Sequence, residues 1–178
     1  MREAVLAATL DALAEHELDE LTITEIARRA GVHATSVQRR WGAKDNLVLD
    51  ALLTLSEEKL PIPDTGSLRG DLVAFGRSMA AYQATAPGKT VMRALATSED
   101  DAAMAANRER LIGARYDAAR VMIDRAGERG ELRPGINPQT ALELLIGALH
   151  YRALITRHPT DDGYIEDLVD TLLRGLDA

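Results

Sequence analysis

Apolar residues recur at three- and four-residue intervals along almost all of this 178-residue chain, and nowhere do they sustain the alternation of a half-buried strand. Leu6, Leu10 and Leu13 begin the pattern, and Ile165, Leu168, Val169, Leu172 and Leu173 close it. Such a chain buries its side chains by packing helices on helices. The expected fold is all-α, with nine helices. Composition agrees, because helix-forming Ala, Leu, Glu and Arg are abundant and aromatic residues make up only 3%.

Punctuation divides the pattern. A first helix spans about residues 2–16. Thr22-Ile23-Thr24-Glu25 has the spacing of a capping box, in which Thr22 and Glu25 satisfy each other's free backbone donors. Gly31 stops the helix that follows, where a left-handed backbone costs little. A short helix then runs from about Ala34 to Trp41, with Val37 and Trp41 on its inner face. The next spans about 44–60 and ends at Pro61-Ile62-Pro63. Further helices are expected over about 68–86, around Val91, Met92 and Leu95, over 101–129, from Asn137-Pro138 to about 157, and over 161–176. The division that results is a three-helix head, residues 1–43, and a larger helical body, residues 44–178.

Charge singles out one stretch. The chain carries 28 Asp and Glu against 21 Lys and Arg, a net charge of -7, which repels nucleic acid on average. Yet Arg28, Arg29, Arg39, Arg40 and Lys44 fall in one segment, 28–44, that has no acidic residue. Two helices joined by a tight turn, the second short and polar outside, match a helix-turn-helix. Thr35 and Ser36 offer hydroxyls to phosphate or a base edge. Gln38 and Arg39 point outward if Val37 and Trp41 point inward, and these residue types bond adenine and guanine. Lys44 opens the next helix, whose free N–H groups also favour an anion.

"LTITEIARRAGVHATSVQRRWGAKDNLVLDAL" resembles the TetR (tetracycline-repressor-type) family of transcriptional regulators, through Leu21-Thr22, Ile26-Ala27, Ala30-Gly31-Val32, Trp41, Lys44 and Leu47. The helix order fits over the whole chain. The resemblance implies a recognition helix at about 34–41, with Thr24, Thr35, Ser36, Gln38, Arg39, Arg40 and Lys44 facing double-stranded operator DNA. It implies a homodimer formed by the last two helices, and a cavity in the body for a small-molecule effector that moves the two heads. The sequence departs from the family at Gln38, where a Tyr is usual, and at Ala43, where a capping residue is usual; the latter weakens the following helix by about 1 kcal/mol. Met1 lies almost at the first helix, so no basic arm is expected to enter the minor groove and the salt dependence of binding should be reduced.

The helix at 138–157 carries two apolar stripes, Leu142, Leu145, Leu149 and Leu144, Ala148, Tyr151, Ile155. One serves the body's own core; the other meets a twin helix or is also buried within the monomer. The dimer candidates are Leu142, Leu145 and Leu149, with Leu168 and Leu172 from the last helix. Phe75, Met79, Tyr82, Met92, Leu95, Tyr116, Met122 and Tyr151 are candidates for an apolar effector cavity with phenolic handles, each equally readable as plain core.

Other classes find no support. Without cysteine there is no disulfide framework or thiol nucleophile. His16, His150 and His158 have no partner at metal-ligand spacing, so neither a metal nor a cofactor is expected. No catalytic motif occurs, and Asp100-Asp101 and Asp161-Asp162 sit at helix starts, where they complement the dipole. With no signal sequence or apolar run of membrane length, a cytoplasmic protein is expected. The alternative function is a helix-turn-helix-derived ligand or partner module that does not bind DNA.

Overall fold

The computed structural model describes residues 1–16, 18–85, 87–89, 91–92 and 102–176. Its helices are α1 (Arg2–Glu15), α2 (Ile23–Arg29), α3 (Ala34–Trp41), α4 (Lys44–Lys59), α5 (Leu68–Ala84), α6 (Ala102–Glu128), α7 (Pro138–His150) and α8 (Asp162–Leu176). Residues 87–89 and 91–92 are helical too, where the short helix bearing Val91 and Met92 is expected. Among the described residues there is no strand, and the fold is all-α. No described helix is long and apolar enough to cross a membrane. The chain divides into two compact units, Met1–Glu57 with Thr85–Ile112 and Glu58–Ala84 with Gly113–Ala178.

In the first unit, Val5, Leu6 and Ala8 of α1, Ile26 and Ala27 of α2, Val37 and Trp41 of α3, and Leu47 and Ala51 of α4 share one core. The packing of the head therefore continues past residue 43 into α4. The capping box closes by half. Thr22 Oγ1 accepts from Glu25 N at 3.2 Å, but the Glu25 carboxylate turns to Arg28 and Arg29, whose charges outcompete a neutral backbone donor. At the end of α2, Gly31 takes φ 67°, and Val32 N donates to Ala27 O at 3.0 Å. This left-handed turn sends the chain directly into α3.

In the second unit, α5 packs on α7 and α8. Phe75, Leu72, Leu142, Leu145, Leu149 and Ile165 are fully buried there. Gly76 permits the close approach of α5 and α8, since a Cβ at that position lies 3.0 Å from Ile165 Cγ2. Outside this contact Arg69 pairs with Asp170 at 2.7 Å, and Arg77 with Asp162 at 3.0 Å and Glu166 at 2.7 Å. The proline linker is held by α6: Arg115 Nη2 donates to Leu60 O at 3.0 Å and Arg125 Nη1 to Pro63 O at 3.1 Å. Asn137 caps α7, its Oδ1 accepting from Gln139 N at 2.9 Å, with Pro138 in the first turn.

Two expectations are corrected here. The helix from 138 does not stay α-helical to 157: at Tyr151 it widens into a π turn through Thr156, and Arg157 closes it in the left-handed region, φ 54°, just before His158-Pro159. The stripes are also assigned the other way. Leu142, Leu145 and Leu149 are 0–1% exposed and form the core of the single chain, so they are not an outer face for a partner. Leu144, Tyr151 and Ile155 are the exposed ones, at 56%, 56% and 68%. The reason is packing: α5 and α8 both lie on α7 and cover that stripe, with Leu149 Cδ1 lying 4.0 Å from the place of a Cβ at Gly76 of α5.

Gly76→Val forces branched carbons into the α5–α8 contact and should lower stability by about 1–3 kcal/mol, measured by urea denaturation.

Candidate nucleic-acid interface

α3 is the centre of the site. Burial of Val37 and Trp41 turns Thr35, Gln38 and Arg39 outward, and all three are exposed. Ser36 is half-buried, and Arg40 is exposed with its guanidinium 5.3 Å from the centroid of the Trp41 ring, a cation–π contact. Thr24 is exposed on the first turn of α2. These residues are brought to the same two-helix unit, with no acidic side chain in the first turn of α3.

The five cations of the basic segment are not equivalent. Arg28 donates to Glu25 at 2.7 and 2.9 Å. Arg29 donates to Glu25 at 2.8 Å and to Glu15 of α1 at 2.7 Å. Hydrogen bonds from Arg28 first, then Arg29, hold the Glu25 carboxyl at about 2 rather than 4.5. Lys44 Nζ donates to Leu18 O at 2.8 Å, across the 3-10 turn Leu18–Glu20. Arg39 alone of the five has no hydrogen bond, ion pair or ring contact among the described residues. Gln38 is also engaged, its Nε2 donating to Gly42 O at the end of α3, where Gly42 takes φ 73°. Asn46 Nδ2 donates to Trp41 O at 3.0 Å and completes that cap. The amide at position 38 thus closes its own helix in this conformation.

Sequence reasoning passes over three residues of the first unit: His33, Asp50 and Arg2. His33 is the N-cap residue of α3, exposed, with no side-chain capping bond, so it stands beside the free N–H groups of the helix. Asp50 of α4 accepts from Trp41 Nε1 at 2.9 Å and from Arg2 Nη2 at 2.6 Å. The Trp41–Asp50 spacing crosses a helix boundary, so no periodicity within one helix reveals it.

The candidates for an effector cavity separate. Phe75, Met79, Tyr82 and Met122 are buried in the second unit, and Tyr116 is half-buried there. Burial pushes the Tyr82 hydroxyl up to about 12, the Arg115 charge opposing, and raises Tyr116 as well. Burial lowers His150. Met92 is buried but belongs to the first unit, and Leu95 lies outside the described residues. Tyr151, 56% exposed, lies on the same outward stripe as Leu144 and not in the core. A surface cleft of about 290 Å³ is lined by Tyr116, Arg120, Asn137, Gln139 and Leu142. Of the dimer candidates on α8, Leu168 is half-buried and Leu172 is 9% exposed, a core residue of the chain. Among the described residues no cluster of His, Asp and Glu could hold a metal ion.

Known proteins are similar to this chain in sequence and in fold. A family model described as bacterial regulatory proteins, tetR family, matches residues 5–51, and one described as tetracyclin repressor-like, C-terminal domain, matches residues 62–172. The HTH-type transcriptional regulator AqdR of Rhodococcus erythropolis is 34% identical over 149 residues, 84% of this chain and 72% of that protein. The HTH-type regulator YdeS of Bacillus subtilis is 29% identical over 177 residues, 99% of this chain and 89% of that protein. The crystal structure of the TetR family transcription regulator SCO0332 aligns with a TM-score of 0.83 at 31% identity, covering 99% of this chain and 98% of that one.

The Glu25 pairs have a pH signature. A carboxyl lowered from 4.5 to about 2 contributes stability that is full above about pH 4.5 and is lost as pH falls through 2. Glu25→Gln should melt below the wild type at pH 7, and the difference should shrink across that window, followed by circular dichroism.

Proposed function

Because the chain belongs to the TetR family, as a transcriptional regulator with a helix-turn-helix DNA-binding domain, we propose that it is a cytoplasmic, homodimeric repressor that binds a palindromic operator and is released by a small apolar or aromatic effector. DNA contact belongs to residues 1–43, and effector binding and dimerisation to residues 44–178. The observation that carries this reading is the outer face of α3, where Thr35 and Arg39 stand exposed on a helix whose inner face is locked by Val37 and Trp41. In this reading Arg39 reads a guanine edge or holds a phosphate, Thr35 and Ser36 take phosphate or base contacts, and Thr24 fixes the flank. Arg40 supplies a second outward charge. Lys44 and Gln38 exchange their internal carbonyl partners for DNA only at the cost of those bonds.

The second copy is supported by the apolar face of α7 and its π turn. Leu144, Tyr151 and Ile155 are large apolar residues more than half exposed within one stretch of the chain, and half-buried Leu168 and Leu173 on α8 add to the apolar set. A symmetric pair sets two heads about 34–36 Å apart, one turn of the double helix. The effector acts only by its differential affinity for the DNA-competent and released states. Phe75, Met79, Tyr82 and Met122 favour an apolar ligand, with a phenol that stays neutral at physiological pH as its hydrogen-bonding handle.

One observation favours the alternative, a module that does not bind DNA: Arg28, Arg29, Gln38 and Lys44 are all engaged with the chain itself.

Two measurements test these readings. Selection from a random-sequence DNA pool should enrich a palindrome with the wild type and not with Arg39→Ala; failure of a folded, ligand-free wild type to enrich any sequence establishes the alternative. In sedimentation velocity, Leu144→Glu/Ile155→Glu should run as a monomer where the wild type runs as a dimer; a dimeric double variant places the interface elsewhere.

A further inference from the structure

Trp41 is the last residue of α3 and the only tryptophan in the chain. It is 8% exposed, so its indole N–H needs a partner inside the protein. That partner is Asp50 Oδ2, at 2.9 Å. The carboxylate is itself fixed by a guanidinium fork: Arg2 Nη2 reaches Oδ1 at 2.6 Å and Arg2 Nε reaches Oδ2 at 3.3 Å. Arg2 Nη2 is anchored in turn by Thr54 Oγ1 at 3.0 Å. The Arg40 guanidinium rests over the Trp41 ring. A chain of contacts therefore runs from α1 and α4 through one carboxylate to an indole, and from that indole to an exposed cation on the helix assigned to DNA.

We infer that Asp50 is a positioning residue for DNA contact: it holds the Trp41 ring in place as the shelf for Arg40, and so sets where the Arg40 guanidinium meets the phosphate backbone. This rests on the DNA-binding reading above and adds to it a residue on α4 that touches no DNA. The physical argument is one of entropy. A free arginine side chain samples many rotamers, and each one frozen on binding subtracts from affinity. A ring held by a charge-assisted hydrogen bond gives Arg40 a surface on which it is already ordered. Arg28, Arg29 and Lys44 are engaged within the chain, so Arg40 and Arg39 carry a larger share of the counterion release on which binding depends. Without the carboxylate, the buried N–H is left unsatisfied, the ring turns towards water, and the shelf disappears.

The test measures the affinity of the full-length protein for a mixed-sequence DNA duplex two helical turns long, as a function of salt. The variants are Arg40→Ala, Asp50→Ala, Asp50→Asn and Trp41→Phe, each checked for folded fraction by circular dichroism. Removing one phosphate neutralisation makes the slope of log K against log salt shallower by about 1. Arg40→Ala should show that change, and Asp50→Ala and Trp41→Phe should show most of it. Asp50→Ala should make the slope no shallower in an Arg40→Ala background. Asp50→Asn, which keeps an oxygen for the indole, should restore most of the slope. Unfolding reduces the active fraction and leaves the slope alone, so the slope separates positioning from stability. Trp41→Phe removes the N–H and keeps a ring, which covers the case in which Asp50→Ala does not fold. A slope made shallower by Arg40→Ala but unchanged in Asp50→Ala and Trp41→Phe overturns the positioning role alone. A slope unchanged in Arg40→Ala overturns it as well. A wild type with no salt-dependent binding overturns the DNA-binding reading and this inference with it.

Discussion

An eight-residue helix has almost no stability of its own in water, because nucleation costs more than so few hydrogen bonds return. α3 exists because Val37 and Trp41 are buried against α1, α2 and α4. At roughly 1.5–3 kcal/mol for each large side chain removed from water, these two supply what the helix lacks. Their positions leave Thr35, Gln38 and Arg39 no orientation except outward. The identity of the outer face is thus a consequence of the inner one. Leu47 and Ala51 of α4 belong to the same core, so the geometry of α3 depends on a helix that follows it as well as on the two that precede it.

Electrostatics then refines what packing has placed. The protein is acidic, with a net charge of -7, and can meet a polyanion only through a surface locally depleted of carboxylates. The basic segment looks like five equal charges in the sequence, but Glu25 and Glu15 absorb Arg28 and Arg29, and the Leu18 carbonyl absorbs Lys44. These pairs brace α1, α2 and α4 within the head. The charges left outward are those on α3. An acidic residue three positions before an arginine on one helix thus trades part of the protein's long-range attraction for DNA against the rigidity of the unit that reads it.

The helices and their punctuation are legible in the sequence because they are local. Gly31, the Thr22 cap and the Asn137-Pro138 start each act within a few residues, and each takes the expected conformation. The stripe on α7 is not legible, because both faces are apolar and the choice between them is made by packing on α5 and α8. The π turn at Tyr151–Thr156 has no proline or glycine to announce it. Gln38 reads as a base-contacting residue by chemistry alone; only the folded arrangement puts its amide on Gly42. Asp50 is invisible for a related reason, since its partners Arg2 and Trp41 lie on two other helices. What proximity in sequence encodes is readable, and what tertiary competition decides is not.

The placement of the single indole has an optical consequence. Selective excitation of tryptophan in this protein reports on one point only, the C-terminal end of α3, where the ring meets both a carboxylate and a guanidinium. Both charges shift the energy of an indole excited state, in senses set by their positions about the ring. The emission of the whole regulator is therefore a readout of the local field at the helix-turn-helix head, uncontaminated by the body, whose chromophores are tyrosines and one phenylalanine.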